Sequence, residues 1–129
     1  PAAAAEMPVP APELAAQIAA KDALHPPPLI LDVRTPEEFD AGHVPGAVLI
    51  PEDQLATRIG ELGTPREVVV YCRTGHRSGL AEPVLENSGF RVHQLAGSWQ
   101  AWQAAGLPEE KSVVSALPDQ LKANRSERK

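Results

Sequence analysis

The chain contains a single cysteine, Cys72, and its neighbours make it a candidate nucleophile. Arg73, Thr74, Gly75, His76, Arg77 and Ser78 follow it directly, so two guanidinium groups and an imidazole lie within five residues of the thiol. The thiolate is the reactive form of cysteine, and nearby cations or a helix N-terminus favour it. In a chain of net charge -5, this local reversal of sign suits an anionic substrate and an anionic sulfur nucleophile. Gly75 lets the loop turn tightly and brings backbone close to a ligand. Thr74 and Ser78 offer hydroxyl groups, and Ser78 can also cap a helix. A lone cysteine after an apolar strand is more often a small core residue. An inert core thiol, however, needs no cluster of two arginines, a histidine and a glycine beside it.

The flanking sequence supplies the elements that would position this loop. Glu67–Tyr71 (EVVVY) is the strongest strand signal, being apolar and β-branched. Ser78 to Asn87 reads as a helix that contains Pro83 and ends at Gly89. Cys72 thus sits at the carboxyl end of a strand and before a helix start, where ligands bind in open parallel sheets. Leu29–Val33 and Ala47–Ile50 read as short buried strands, and Arg91–Leu95 as another. Helices are expected over Glu13–Leu24, from Pro36 behind a Thr35–Glu38 capping box, over Pro51–Leu62, and over Ser98–Ala105. Strands alternating with helices across short turns imply a mainly parallel sheet covered by helices on both faces.

Composition sets the outer limits. The 129 residues fit one domain, with 43% hydrophobic and 22% charged residues. The acidic balance argues against a nucleic-acid partner. No run of about 20 apolar residues is present, so no membrane span is expected. One cysteine cannot form an internal disulfide or a cysteine-based zinc site alone. His43 has no second His or Cys at ligand spacing, so no metal site is read there. Residues 1–12 are Ala/Pro-rich and are expected to be extended or disordered, ahead of a domain at 13–110. Such a start fits export, which favours a periplasmic over a cytoplasmic location. Residues 111–129 form an extension, expected to be partly helical through Val113, Val114, Leu117 and Leu121 and otherwise disordered.

From Leu29 to Pro108 the sequence resembles the rhodanese family. Three segments carry the resemblance: LILDVRTPEEFDAGHVPGAVLIP, VVVYCRTGHRSGLA and LAGSWQAWQAAGLP. The resemblance implies a three-layer α/β sandwich around a five-stranded, mainly parallel sheet. It implies transfer of a sulfane sulfur from an anionic donor such as thiosulfate to a thiophilic acceptor such as cyanide or a thiol. Cys72 would carry the sulfur as a persulfide, and the amides of Arg73 through Ser78 would cradle it. Arg73 and Arg77 would orient the donor, with His76 assisting. Asp32 and Arg34 would support the site structurally, and Glu38 and His43 would fix the loop leaving the first strand–helix unit. Trp99 and Trp102 are read as packing residues. Ser98 departs from the family pattern, which commonly has a second glycine there; a small change in the turn is expected.

No cofactor and no metal are needed for such chemistry, and a monomer or weak dimer is expected. Two other activities fit parts of the pattern. A persulfide carrier serving a protein partner would keep Cys72. Phosphatases and arsenate reductases of related scaffold place Cys and Arg in a similar loop, but a longer one. The four residues between Cys72 and Arg77 make a smaller cradle, suited to a sulfur atom.

Overall fold

The computed structural model describes residues 7–112 except Ala23 and His25. The expected helix in 111–129 therefore lies almost wholly outside the described residues. Four strands, β1 (Leu29–Asp32), β2 (Val48–Leu49), β3 (Glu67–Tyr71) and β4 (Arg91–Gln94), form a parallel sheet in the order β2-β1-β3-β4. Five helices accompany them: α1 (Ala11–Ala19), α2 (Pro36–Ala41), α3 (Leu55–Arg58), α4 (His76–Asn87) and α5 (Ser98–Ala104).

Side chains of successive strand residues point to opposite faces, and both faces of this sheet are buried. Leu29, Leu31, Val33, Val68, Val70 and Cys72 pack on one side with Leu55, Ala81 and Leu85 from α3 and α4. Ile30, Val69 and Tyr71 pack on the other with Leu14 of α1 and Trp99 and Trp102 of α5. This is the three-layer sandwich expected. Burial on both faces explains why β1 and β3 read as unbroken apolar runs rather than as alternating ones.

The expected fifth strand is reduced to one residue. Val9 is extended and forms a parallel bridge with Leu95; its N–H donates to Gln94 O at 2.8 Å and its carbonyl accepts from Ala96 N at 2.9 Å. Pro8 and Pro10 flank it, and neither has an N–H to continue a ladder.

Three helical segments differ from expectation. Helix α1 starts at Ala11 because Pro12 is tolerated in a first turn, where no intrahelical donor is lost. It stops well before Leu24, whose N–H is taken by the Asp22 carboxylate at 2.9 Å in a turn. The stretch Pro51–Leu62 is not one helix but a 3₁₀ turn (Glu52–Gln54), α3, and a second 3₁₀ turn (Ile59–Leu62). Thr57 donates its hydroxyl to the Gln54 carbonyl at 3.0 Å, and Gly60 weakens continuation. Helix α4 begins at His76, two residues earlier than expected, so the helix terminus lies closer to Cys72.

Candidate active site

Cys72 is the first residue past β3, and the chain turns back over its sulfur. Sγ accepts the Gly75 N–H at 3.0 Å and lies 3.6 Å from Ser78 Oγ. Gly75 is the residue before α4 and has φ +121°, a conformation that a side chain would strain. The first amides of α4 have no intrahelical partner, and this turn directs that of Ser78 at the sulfur. Cys72 is only 1% exposed. Burial alone pushes its thiol up, but the amides of Ser78, Gly75 and Thr74 and the Ser78 hydroxyl outweigh it and hold the thiol below its ordinary value. The alkylation rate against iodoacetamide should therefore reach half its plateau below the pH of about 8.5 typical of a free thiol. A midpoint at or above that pH would contradict the account.

The loop is pinned from its other side by α5. Trp99 N donates to Cys72 O at 3.0 Å and Gln100 N to Arg73 O at 3.1 Å. The loop carbonyls thus satisfy the free donors of one helix while the loop amides face the sulfur. Ser98 Oγ accepts the Cys72 N–H at 3.3 Å. Ser98 also has φ +53°, which accounts for glycine being usual there and costs on the order of 1 kcal/mol. Gly97 before it has φ +72°, and a Cβ there would come within 2.6 Å of Ala101 Cβ. Gly97→Ala should cost about 1–3 kcal/mol in urea unfolding and loosen both α5 contacts to the loop.

The charges near Cys72 are not equivalent. Arg77 places Nη1 2.8 Å and Nη2 3.1 Å from the two carboxylate oxygens of Glu38. That pairing, opposed by partial burial and helped by the Thr35 amide, holds the Glu38 carboxyl down at about 2. Glu38 also completes the capping box of α2, accepting the Thr35 N–H at 2.9 Å while Thr35 Oγ1 accepts the Glu38 N–H at 3.2 Å. One carboxylate therefore ties the start of α2 to the start of α4. Arg73 and Thr74 are exposed on the loop, and His76 is exposed at the start of α4.

Beneath the loop lies a buried ion pair. Asp32 is 0% and Arg34 3% exposed. Arg34 donates Nη2 to Asp32 Oδ2 at 2.7 Å and Nε to Oδ1 at 3.0 Å. Its Nη2 also reaches Gly42 O at 2.6 Å, and its guanidinium lies 4.8 Å from the Trp99 ring centroid and 5.5 Å from that of Tyr71. Tyr71 Oη accepts the Val44 N–H at 3.1 Å. Burial and the Asp32 carboxylate push the Tyr71 phenol far up, so it stays protonated. The GHVPG loop is closed by residues after α5: His43 N and O pair with Glu110 O and N at 2.8 and 2.9 Å. His43 stacks on Phe39, and its Nδ1 lies 2.8 Å from the Phe39 carbonyl.

Among the described residues no cluster of three or more His, Cys, Asp or Glu could hold a metal. A groove of about 960 Å³, lined by Glu13, Pro27, Arg66, Glu67 and His93, lies at the opposite, N-terminal ends of the strands from Cys72. Of the residues the sequence singles out, the structure brings Thr74, Gly75 and Ser78 to Sγ, places Arg73 and His76 at the surface and turns Arg77 to Glu38; sequence reasoning missed the role of Ser98 Oγ and the pairing of Glu38 with Arg77. The pattern break at Ser98 was the available signal for the first. Nothing in local spacing signals the second, which joins residues 39 positions apart.

Comparison with known proteins agrees with this architecture. The family model described as Rhodanese-like domain matches residues 11–105. A sulfurtransferase of Allochromatium vinosum is 41% identical over 81 residues, covering 62% of this chain and 76% of the relative. An HTH-type transcriptional regulator of Mycobacterium tuberculosis is 38% identical over 86 residues, covering 65% of this chain; the chain spans only 38% of that regulator. The crystal structure of a rhodanese-related protein from Thermoplasma volcanium aligns with a TM-score of 0.70 at 26% identity, covering 82% of this chain and 99% of that one. With a matched model running from the start of α1 to the end of α5, and the three-layer parallel sheet it implies, this chain belongs to the rhodanese-like domain family.

Proposed function

We propose that the chain is a sulfurtransferase that carries a sulfane sulfur on Cys72. The observation that supports this most is the amide turn around Sγ, with the Gly75 N–H at 3.0 Å. Such a turn stabilises an anionic sulfur without a side-chain base. The Allochromatium vinosum relative, named a sulfurtransferase, points the same way.

In the proposed cycle the Cys72 thiolate attacks the outer sulfur of an anionic donor such as thiosulfate. The new Sγ–S bond forms as the donor S–S bond breaks, and sulfite leaves with the electron pair. The terminal sulfur of the persulfide carries the negative charge and accepts hydrogen bonds that the amides of the Thr74–Ser78 turn donate. A thiophile such as cyanide then takes that sulfur, and Cys72 returns as the thiolate. No cofactor takes part. The test is thiocyanate formation from thiosulfate and cyanide by the purified protein. No turnover with either thiosulfate or polysulfide as donor would overturn the proposal.

Arg73 takes the donor-orienting role that sequence alone divided between Arg73 and Arg77, since Arg77 is paired with Glu38. Arg73→Ala should raise the KM for thiosulfate about fivefold, the effect being limited by solvent screening. Arg77→Ala should change KM less and instead lower stability, because it leaves Glu38 half-buried and unpaired. A larger KM effect at Arg77 than at Arg73 would show that the pairing opens when donor binds.

A further inference from the structure

The first turns of α4 present a solvent face that the domain itself does not use. His76, Gly79, Leu80 and Pro83 are exposed and share one side of the helix, while Ser78, Ala81 and Leu85 face the core. Leu80 is 49% exposed. Gly79 lies inside the helix, where alanine is the better former. A Cβ at Gly79 would meet nothing within 4 Å, so no contact within the described residues demands the glycine. Pro83 has no N–H, so the Gly79 carbonyl lacks its usual helical donor. Bare backbone with an acceptor, flanked by an exposed leucine and proline, lets another chain approach closely.

This face starts at the sulfur, since His76 follows the Gly75 whose N–H meets Sγ. Its charge is distinctive in a chain of net charge -5. Residues 72–81 contain no carboxylate, and α4 has no acid in its first turn, whereas α1 carries Glu13 and α2 carries Glu37 and Glu38 there. Of the acids around it, Glu38 is ion-paired with Arg77, and Glu82, further along α4, accepts from Gln94 Nε2 at 2.8 Å. The exposed Arg73 guanidinium therefore sets the sign of the rim beside the sulfur.

We propose that the Arg73–Pro83 face docks an acidic protein that presents a cysteine thiol to the Cys72 persulfide. The inference rests on the sulfurtransferase function and names its acceptor class. In the step, the partner thiolate attacks the outer sulfur. Its new S–S bond forms, the bond from that sulfur to Cys72 Sγ breaks, and Cys72 leaves as the thiolate; the outer sulfur passes to the partner as an anionic persulfide with no net oxidation.

The test uses the full chain loaded with thiosulfate and two synthetic peptides. One bears a single cysteine beside leucine and glutamates; the other has lysines in place of the glutamates. At low salt the acidic peptide should take sulfur at least about tenfold faster, and high salt should erase most of that advantage. Leu80→Glu and Gly79→Gln should each slow transfer to the acidic peptide about fivefold or more, with thiocyanate formation from cyanide unchanged. Equal rates for the two peptides, or variants that slow cyanide as much as peptide, would overturn the docking face while leaving the enzyme intact. A wild-type protein that forms neither thiocyanate nor a persulfide would overturn the enzyme and the docking face together.

Discussion

Cys72→Ser is expected to reduce thiocyanate formation to below about a hundredth of the wild-type rate while leaving the domain folded. The loss follows from chemistry: a serine oxygen cannot hold a sulfane sulfur as a persulfide, and its proton is far less acidic than that of a thiol. Retention of the fold follows from geometry. The site is already polar, with the Gly75 N–H and Ser78 Oγ directed at the side chain, so a hydroxyl finds partners there. The smaller oxygen leaves only a minor gap in a cluster of larger aliphatic side chains. The pair of measurements is the thiocyanate assay and the urea midpoint. Residual activity well above a hundredth, in a folded variant, would mean that another group carries the sulfur.

Asp32→Asn should cost about 3–5 kcal/mol, a large share of the roughly 5–15 kcal/mol that holds a domain together. The aspartate is fully buried and is matched to Arg34 by two short contacts and to the Arg34 amide at 2.9 Å. Asparagine keeps the shape but leaves a buried guanidinium without its counter-charge. Contact with the Trp99 and Tyr71 rings replaces only part of that. The consequence reaches the site by a short route. Arg34 holds Gly42 O, Trp99 packs on Arg34, and the Trp99 amide donates to the Cys72 carbonyl. The variant should therefore unfold at a melting temperature lower by on the order of 10–20 °C. Below that temperature it should also show slower thiocyanate formation. A variant as stable as wild type would contradict the role assigned to this pair.

Much of this architecture is legible in the sequence because local rules agree with the fold. The EVVVY run, the Thr35–Pro36–Glu38 capping signal and the glycines after the helices each act over a few residues. What escapes local reading is set by contacts across the chain. Val9 belongs to the sheet edge only because Gln94 and Ala96 come to lie beside it, which no pattern in a proline-rich stretch announces. The Pro51–Leu62 segment has inward apolar positions of helical period, yet Thr57 and Gly60 break it into short turns. At the site, the sequence marks a cluster of cations around Cys72. Folding spends one of them on Glu38, and hydrogen bonds from the amides of Thr74, Gly75 and Ser78 and from the Ser78 hydroxyl do most of the work of holding the thiol down. The candidate nucleophile is legible in residue types; the lowering of its thiol pKa depends on how Gly75 turns the backbone.

The most direct measurement is the mass of the Cys72 peptide from protein incubated with thiosulfate and then freed of it. A gain of one sulfur atom on that peptide, removed by cyanide with release of thiocyanate, is the predicted result. An unmodified Cys72, or a sulfur adduct that cyanide cannot remove, would contradict transfer through this residue.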